Sequence, residues 1–352
     1  MAVAVTLGRK PGLSARVCTS LDAVRASAAF YVLLHHVGNA RGWSHGAGLW
    51  LRFGQEAVLV FFLLSGFLIF ANERTRATRP KGYYLRRIRR IYPGVVAAML
   101  VSTLVAVDNQ TFSATFNWAE LVGTGLSLQD LSALKPGVIV NPYLMNSPLW
   151  SLSYEVAFYI VFPFVLRAWL RRPRLTNHFV GSLCCLSYVL YLIAPNHWCL
   201  VLAYFLVWWC GAMAAAAYFD GGVVVGSIGS PIGWLIALNT IAALATVIVG
   251  YRGLGLFPFL MFRHFSFAIV VLAVSFGPIG AWLADQLEPV SSAASEFASV
   301  SYGIYVLHFP ILVDWHRSHT GWGLAAAAVL LAGTAFVCDR QSSRWLPRAP
   351  AS

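Results

Sequence analysis

Ten apolar stretches follow one another along this chain of 352 residues, each about long enough to cross a bilayer, and little sequence is left between them. They run approximately over residues 21–38, 55–71, 92–107, 149–168, 179–195, 199–219, 232–251, 264–283, 300–315 and 321–338. Charged residues make up 11% of the chain and apolar ones 59%, against about 25% charged in a typical soluble domain. So little polar surface cannot keep a folded chain in water. The reading is an all-α integral membrane protein, one bundle of about ten transmembrane helices over 21–338, with tails at 1–20 and 339–352. The first 20 residues lack the apolar core of a signal peptide and read as a cytoplasmic tail.

The formal net charge of +12 could suggest a nucleic-acid partner, but the placement of the charges argues against one. With both termini in the cytoplasm, 19 of the 25 Lys and Arg fall on the inner side and six on the outer. That asymmetry is the positive-inside rule, so the basic balance is a topology signal. The six cysteines show no metal-ligand spacing and read as packing residues, and no metal site is expected. The glycine-rich stretch from Gly221 lacks the Gly-Lys ending of a phosphate loop and reads as a turn between spans.

Polar residues inside apolar spans are costly, so each one calls for a partner or a task. Arg25 and His36 lie 11 residues apart in the first span. On a helix that spacing leaves about 20° between them, and a rise of about 16 Å, so they share a face at two depths. His35 points about 80° away from that line. Glu56 sits at the outer start of the second span, where a solvated helix-start carboxylate is the plain alternative to a functional one. Ser65 and Gly66 suit close helix packing. Arg86, Arg87, Arg89 and Arg90 crowd the inner mouth of the third span. They suit anionic lipid, or the bidentate binding of a phosphate-rich ligand. Ser151, Glu155 and Tyr159 recur at i, i+4, i+8, with Glu155 inside the fourth span. Ser301, Tyr305 and His308 share a face before Pro310. The long outer connection from Asp108 to Pro148 is of a length usually tied to function, and part of it reads as a short helix.

Together these segments resemble the acyltransferase 3 family of integral membrane acyltransferases. The resemblance is carried by Arg25 with His36, then by Phe61, Phe62, Ser65, Gly66, Phe67, Leu68 and Ile69. It continues through Arg87, Arg90, Ile91, Tyr92 and Pro93, then Trp150, Ser151, Leu152, Glu155, Tyr159 and Ile160. It ends on Ser301, Tyr302, Tyr305, His308 and Pro310, so it covers the chain from about Leu21 to Cys338. Many members carry an aspartate two residues before the Phe pair; here that position is Leu59, with Glu56 nearly one turn earlier.

The resemblance implies transfer of an acyl group, usually acetyl, from cytoplasmic acyl-coenzyme A. The acceptor it implies is a sugar hydroxyl of an exported or surface glycan, and the location a bacterial plasma membrane. On that basis His36 is expected to act as general base or acyl relay, and Arg25 to hold the donor or orient that face. Glu155 and Glu56 would tune the site. Arg86, Arg87, Arg90 and Ser65 would bind the donor, which is a cosubstrate and not a resident cofactor. The alternative from another class is a transporter or flippase for a lipid-linked or acidic solute. The absence of a visible internal repeat weakens it.

Overall fold

The computed structural model describes residues 12–43, 46–74, 80–220, 225–250, 257–276, 278–287, 289 and 291–341. Ten helical segments among them are long and apolar enough to cross a membrane. In chain order the helices are α1 (Ala15–Ala40), α2 (Gly54–Glu73), α3 (Pro80–Asp108), α4 (Phe112–Thr115), α5 (Trp118–Gly125), α6 (Trp150–Arg171) and α7 (Pro173–Ile193). They continue with α8 (His197–Phe219), α9 (Val225–Val249), α10 (Phe259–Phe276), α11 (Pro278–Leu287), α12 (Ser291–His308) and α13 (Gly321–Phe336).

The expected spans are all present, with several ends shifted; α3 starts at Pro80, well before the expected 92, so the arginine cluster lies within the helix. The stretch read as 264–283 is two helices, because Pro278 has no N–H and would clash with the preceding turn, so it opens α11 instead of extending α10. The ninth span begins at Ser291, earlier than the expected 300, and its helix is followed by a π-helical turn over Phe309–Asp314 that includes Pro310. The first helix starts inside the expected tail, at Ala15, capped by the Ser14 hydroxyl accepting from the Val17 N–H. The glycine-rich stretch is a turn only in expectation: from Val225 onward it is helical, and residues 221–224 lie outside the described set. Gly and Pro are tolerated in membrane helices because the surroundings satisfy the freed backbone groups.

α8 is the buried axis of the bundle, with Trp208 and Trp209 at 0% exposure. α2 packs along it at two glycines. A Cβ on Gly66 would run into the Trp208 carbonyl, and one on Gly211 into the Leu63 carbonyl. Small residues at such crossings let backbones approach closely where no hydrophobic effect drives helices together. α12 packs against α1, α3 and α13, and α6 joins α7 and α8. These contacts bring α1, α2, α3, α6 and α12 around one polar interior.

The connection from Asp108 to Pro148 is ordered and carries α4 and α5, as the expected short helix. It is fastened from below. Gln129 Nε2 donates to the Leu149 carbonyl at 2.7 Å, and the Tyr191 hydroxyl donates to the Pro136 carbonyl at 3.0 Å. Buried backbone polar groups of a loop need such partners.

Candidate active site

The polar interior is a cavity of about 430 Å³. α1 supplies Arg25; α2 supplies Ser65; α3 supplies Arg86, Arg87 and Arg90; α6 supplies Ser151, Glu155 and Tyr159; α12 supplies Ser301, Tyr302 and Tyr305. The i, i+4, i+8 face of α6 thus points inward as a unit. Glu155 Oε1 accepts from the Ser65 hydroxyl at 3.0 Å and from the Tyr159 hydroxyl. Ser65 Oγ in turn accepts from Trp208 Nε1 at 3.1 Å. The buried α8 therefore fixes Ser65, and Ser65 with Tyr159 fixes one carboxylate oxygen of Glu155.

At the arginine-rich end, Glu73 is 2% exposed and is shared by two guanidinium groups. Arg86 Nε lies 2.8 Å from its Oε1 and Arg87 Nη2 lies 3.1 Å from the same oxygen. Arg90 Nη1 reaches Asp339 Oδ1 at 3.1 Å, and Asp339 Oδ2 accepts from the Gly303 N–H at 2.7 Å. Asp339 was expected in a tail; its side chain is 2% exposed and ties α3 to α12. Arg25 pairs with Asp22 at 2.8 Å, and its Nε is buried with no partner among the described residues. Neither Glu73 nor Asp339 stood out in the sequence. The available signal was an acid within reach of a membrane span's basic end, where only a partner makes burial affordable.

His36 lies outside the lining of this cavity, beyond its far end. The boundary is Tyr305, whose hydroxyl donates to the Pro148 carbonyl at 2.8 Å and lies 2.8 Å from Ser151 Oγ. On the far side the ring of His308 is 6.3 Å from that of Tyr305, and the ring of His36 is 5.3 Å from that of His308. Arg25 and His36 do share the side of α1 that meets α12. His35 packs edge-on against His36 at 4.9 Å but is committed elsewhere. Its Nδ1 donates to the Leu51 carbonyl, and its Nε2 lies 3.2 Å from Asn39 Nδ2. The His36 ring makes no hydrogen bond among the described residues, which leaves its nitrogens available for chemistry.

Glu56 is apart from both groups. It is 2% exposed and ion-paired with Arg263 of α10, whose Nε lies 2.7 Å from its Oε1, so the solvated helix-start reading does not hold. Its Oε2 has no partner among the described residues. A further buried pair lies under the connection from Asp108 to Pro148. Lys135 Nζ is 2.7 Å from Asp130 Oδ1, and the Tyr154 hydroxyl donates to Asp130 Oδ2 at 2.5 Å. Burial pushes the Asp130 carboxyl up, but the Lys135 charge and the bonds from Lys135 and Tyr154, with the His197 imidazole 3.6 Å away, outweigh it and hold the group below its ordinary range. Tyr154 directly precedes Glu155, so this pair also anchors the turn of α6 that carries the cavity acid. A larger furrow of about 820 Å³ between α3 and α13 is lined by apolar side chains such as Val96, Leu100 and Val329 and brings no chemistry together. Among the described residues no cluster of His, Cys, Asp and Glu is arranged to hold a metal.

A family model described as an acyltransferase domain matches residues 19–339, all ten spans and the whole cavity. The chain belongs to the acyltransferase 3 family. The chain is 27% identical over 192 residues to the peptidoglycan O-acetyltransferase OatA of Listeria monocytogenes, covering 50% of the chain and 29% of that relative. It is 26% identical over 172 residues to nodulation protein 10 of Rhizobium leguminosarum, covering 44% of the chain and 46% of the relative. It is 25% identical over 169 residues to a putative O-acetyltransferase of Staphylococcus aureus, covering 43% and 25% respectively. The chain thus spans less than half the length of each of these curated relatives. No solved structure matches it.

Proposed function

We propose that this multi-pass membrane acyltransferase moves an acyl group, acetyl in the first instance, from cytoplasmic acyl-coenzyme A to a sugar hydroxyl. The acceptor is an exported or surface glycan, and the membrane is a bacterial plasma membrane. The observation that carries this reading is the division of the interior at Tyr305. Four arginines and Glu155 line the cavity on one side of it, and an uncommitted imidazole, His36, stands on the other.

The positive-inside count supports a cytoplasmic arginine end. There Arg86, Arg87 and Arg90 offer guanidinium forks to the donor's phosphates, in exchange for Glu73 and Asp339. Arg25 lies deeper and takes the next polar part of the donor. Glu155, held by Ser65 and Tyr159, keeps the cavity wall in register. At the other end His36 takes the proton of the acceptor hydroxyl. The acceptor oxygen then bonds to the acyl carbon as the thioester C–S bond breaks, and the thiolate leaves with coenzyme A. Glu56, apart from both groups, holds α2 to α10 through its ion pair with Arg263. Transporter chemistry would leave the glycan unmodified.

The test is transfer of label from acetyl-coenzyme A to glycan in membranes containing the protein. His36→Ala removes the general base and is expected to lower transfer by at least about 10²-fold, with the protein still in the membrane. His35→Ala is expected to be much milder. Full transfer by His36→Ala, or none by the unaltered protein, overturns the reading.

A further inference from the structure

His308 is the last residue of α12 and is 0% exposed. Its Nδ1 lies 3.0 Å from the Ile304 carbonyl oxygen. A carbonyl only accepts, so Nδ1 carries the hydrogen, and in the neutral ring Nε2 carries a lone pair. That Nε2 is buried with no donor among the described residues. An unsatisfied buried acceptor is costly and uncommon, and here the surroundings narrow down its partner. The Tyr305 hydroxyl is committed to Pro148 and Ser151. Phe309 has no donor. Both nitrogens of His35 are engaged. The remaining neighbour with an uncommitted N–H is His36, whose ring centre is 5.3 Å away and whose plane is tilted by 41°; as they stand the two rings are in contact without a hydrogen bond. Directly after His308 the chain makes a π-helical turn, a feature often found at functional sites.

We propose that His308 is a positioning residue for His36, an inference that rests on reading His36 as the base. A turn of the His36 ring within this contact brings one of its N–H groups to Nε2, which leaves the other His36 nitrogen with its lone pair toward the acceptor hydroxyl. When His36 takes the hydroxyl proton, the same bond holds the resulting imidazolium in place. The pair does for this site what a buried acceptor behind a general-base histidine does elsewhere: it selects the tautomer.

Two substitutions separate this role from packing. His308→Phe keeps the ring and removes the acceptor; His308→Gln restores an acceptor oxygen near the Nε2 position, and both lose the bond to Ile304. The expected result is a fall in kcat on the order of 10²-fold for His308→Phe, with donor KM unchanged, and recovery of at least about tenfold in His308→Gln. An equal loss in both variants, or parental kcat in His308→Phe, overturns the proposal. A second readout does not need turnover: ¹⁵N spectra of histidine-labelled protein in nanodiscs, with His36 assigned through His36→Gln. His36 is expected in one tautomer in the unaltered protein and in His308→Gln, and in a mixture in His308→Phe. An unchanged His36 signal in His308→Phe also overturns the pairing. If that signal shifts while the unaltered protein transfers no acyl group, the pairing stands and the assignment of His36 as base fails.

Discussion

The Tyr305 hydroxyl, 2.8 Å from Ser151 Oγ, bars the polar interior between the arginine-lined cavity and the histidine pair. Its other bond goes to the Pro148 carbonyl, at the start of α6. Tyr305→Phe keeps the ring and removes this bond, leaving the carbonyl only the 3.5 Å contact from the Ser151 hydroxyl, which costs about 0.5–1.5 kcal/mol. Thermal unfolding of the purified protein in detergent checks this, with a lower midpoint expected and an unchanged one counting against the bar.

Arg87 shares the Glu73 carboxylate with Arg86 and faces the same cavity. If its guanidinium meets a donor phosphate, Arg87→Ala removes charge-assisted hydrogen bonds of about 1.5–3 kcal/mol. Donor KM should then rise about 10- to 100-fold, with little change in acceptor KM. Initial rates over a range of donor concentrations distinguish this from a general loss of activity.

Asp130 and Lys135 are buried together, so removing one strands the other. Asp130→Asn or Lys135→Met alone should cost about 3–5 kcal/mol, and the double variant should cost clearly less than the sum. Denaturant unfolding of the four proteins gives the coupling. The Asp130 carboxyl is held below its ordinary value in the folded protein, so its contribution is complete above the unfolded value near 3.9. It is lost as pH falls from there through the lower folded value. The stability gap between the unaltered protein and Asp130→Asn should therefore be constant at neutral pH and shrink only in that acid window.

Gly66→Ala places a methyl against the Trp208 carbonyl of α8, which is backbone and cannot turn aside. Overpacking of this kind costs about 1–3 kcal/mol. A reduced melting temperature is the expected outcome, and an unaffected one would show that α2 and α8 have slack at their crossing.

The spans and the inward face of α6 were legible because hydropathy and helical period are local properties. Spacing also singled out His36 over His35, and the structure supplies a physical difference: Leu51 and Asn39 occupy the His35 ring, whereas the His36 ring makes no hydrogen bond among the described residues. The charge partners were not legible. Glu56 finds Arg263 and Arg90 finds Asp339 across the whole chain, and no periodicity encodes which helix ends adjoin in a bundle. Glu73 was within reach, 13 residues before Arg86, but a lone acid at a span's end gives no sign that it is buried. The shift in the eighth span was written in Pro278, and the apolar run on both sides of it masked the break.

From Ala203 to Ala217 every residue of α8 is buried, about four full turns with no side given to lipid. The helix is apolar enough to enter a bilayer on its own, yet in the finished molecule it meets only protein. Selection on most membrane helices is two-faced, strict toward neighbours and lenient toward lipid. Here the lenient face is missing, so a substitution scan along this stretch should give a flat profile of damage without the 3.6-residue rhythm that marks a surface helix.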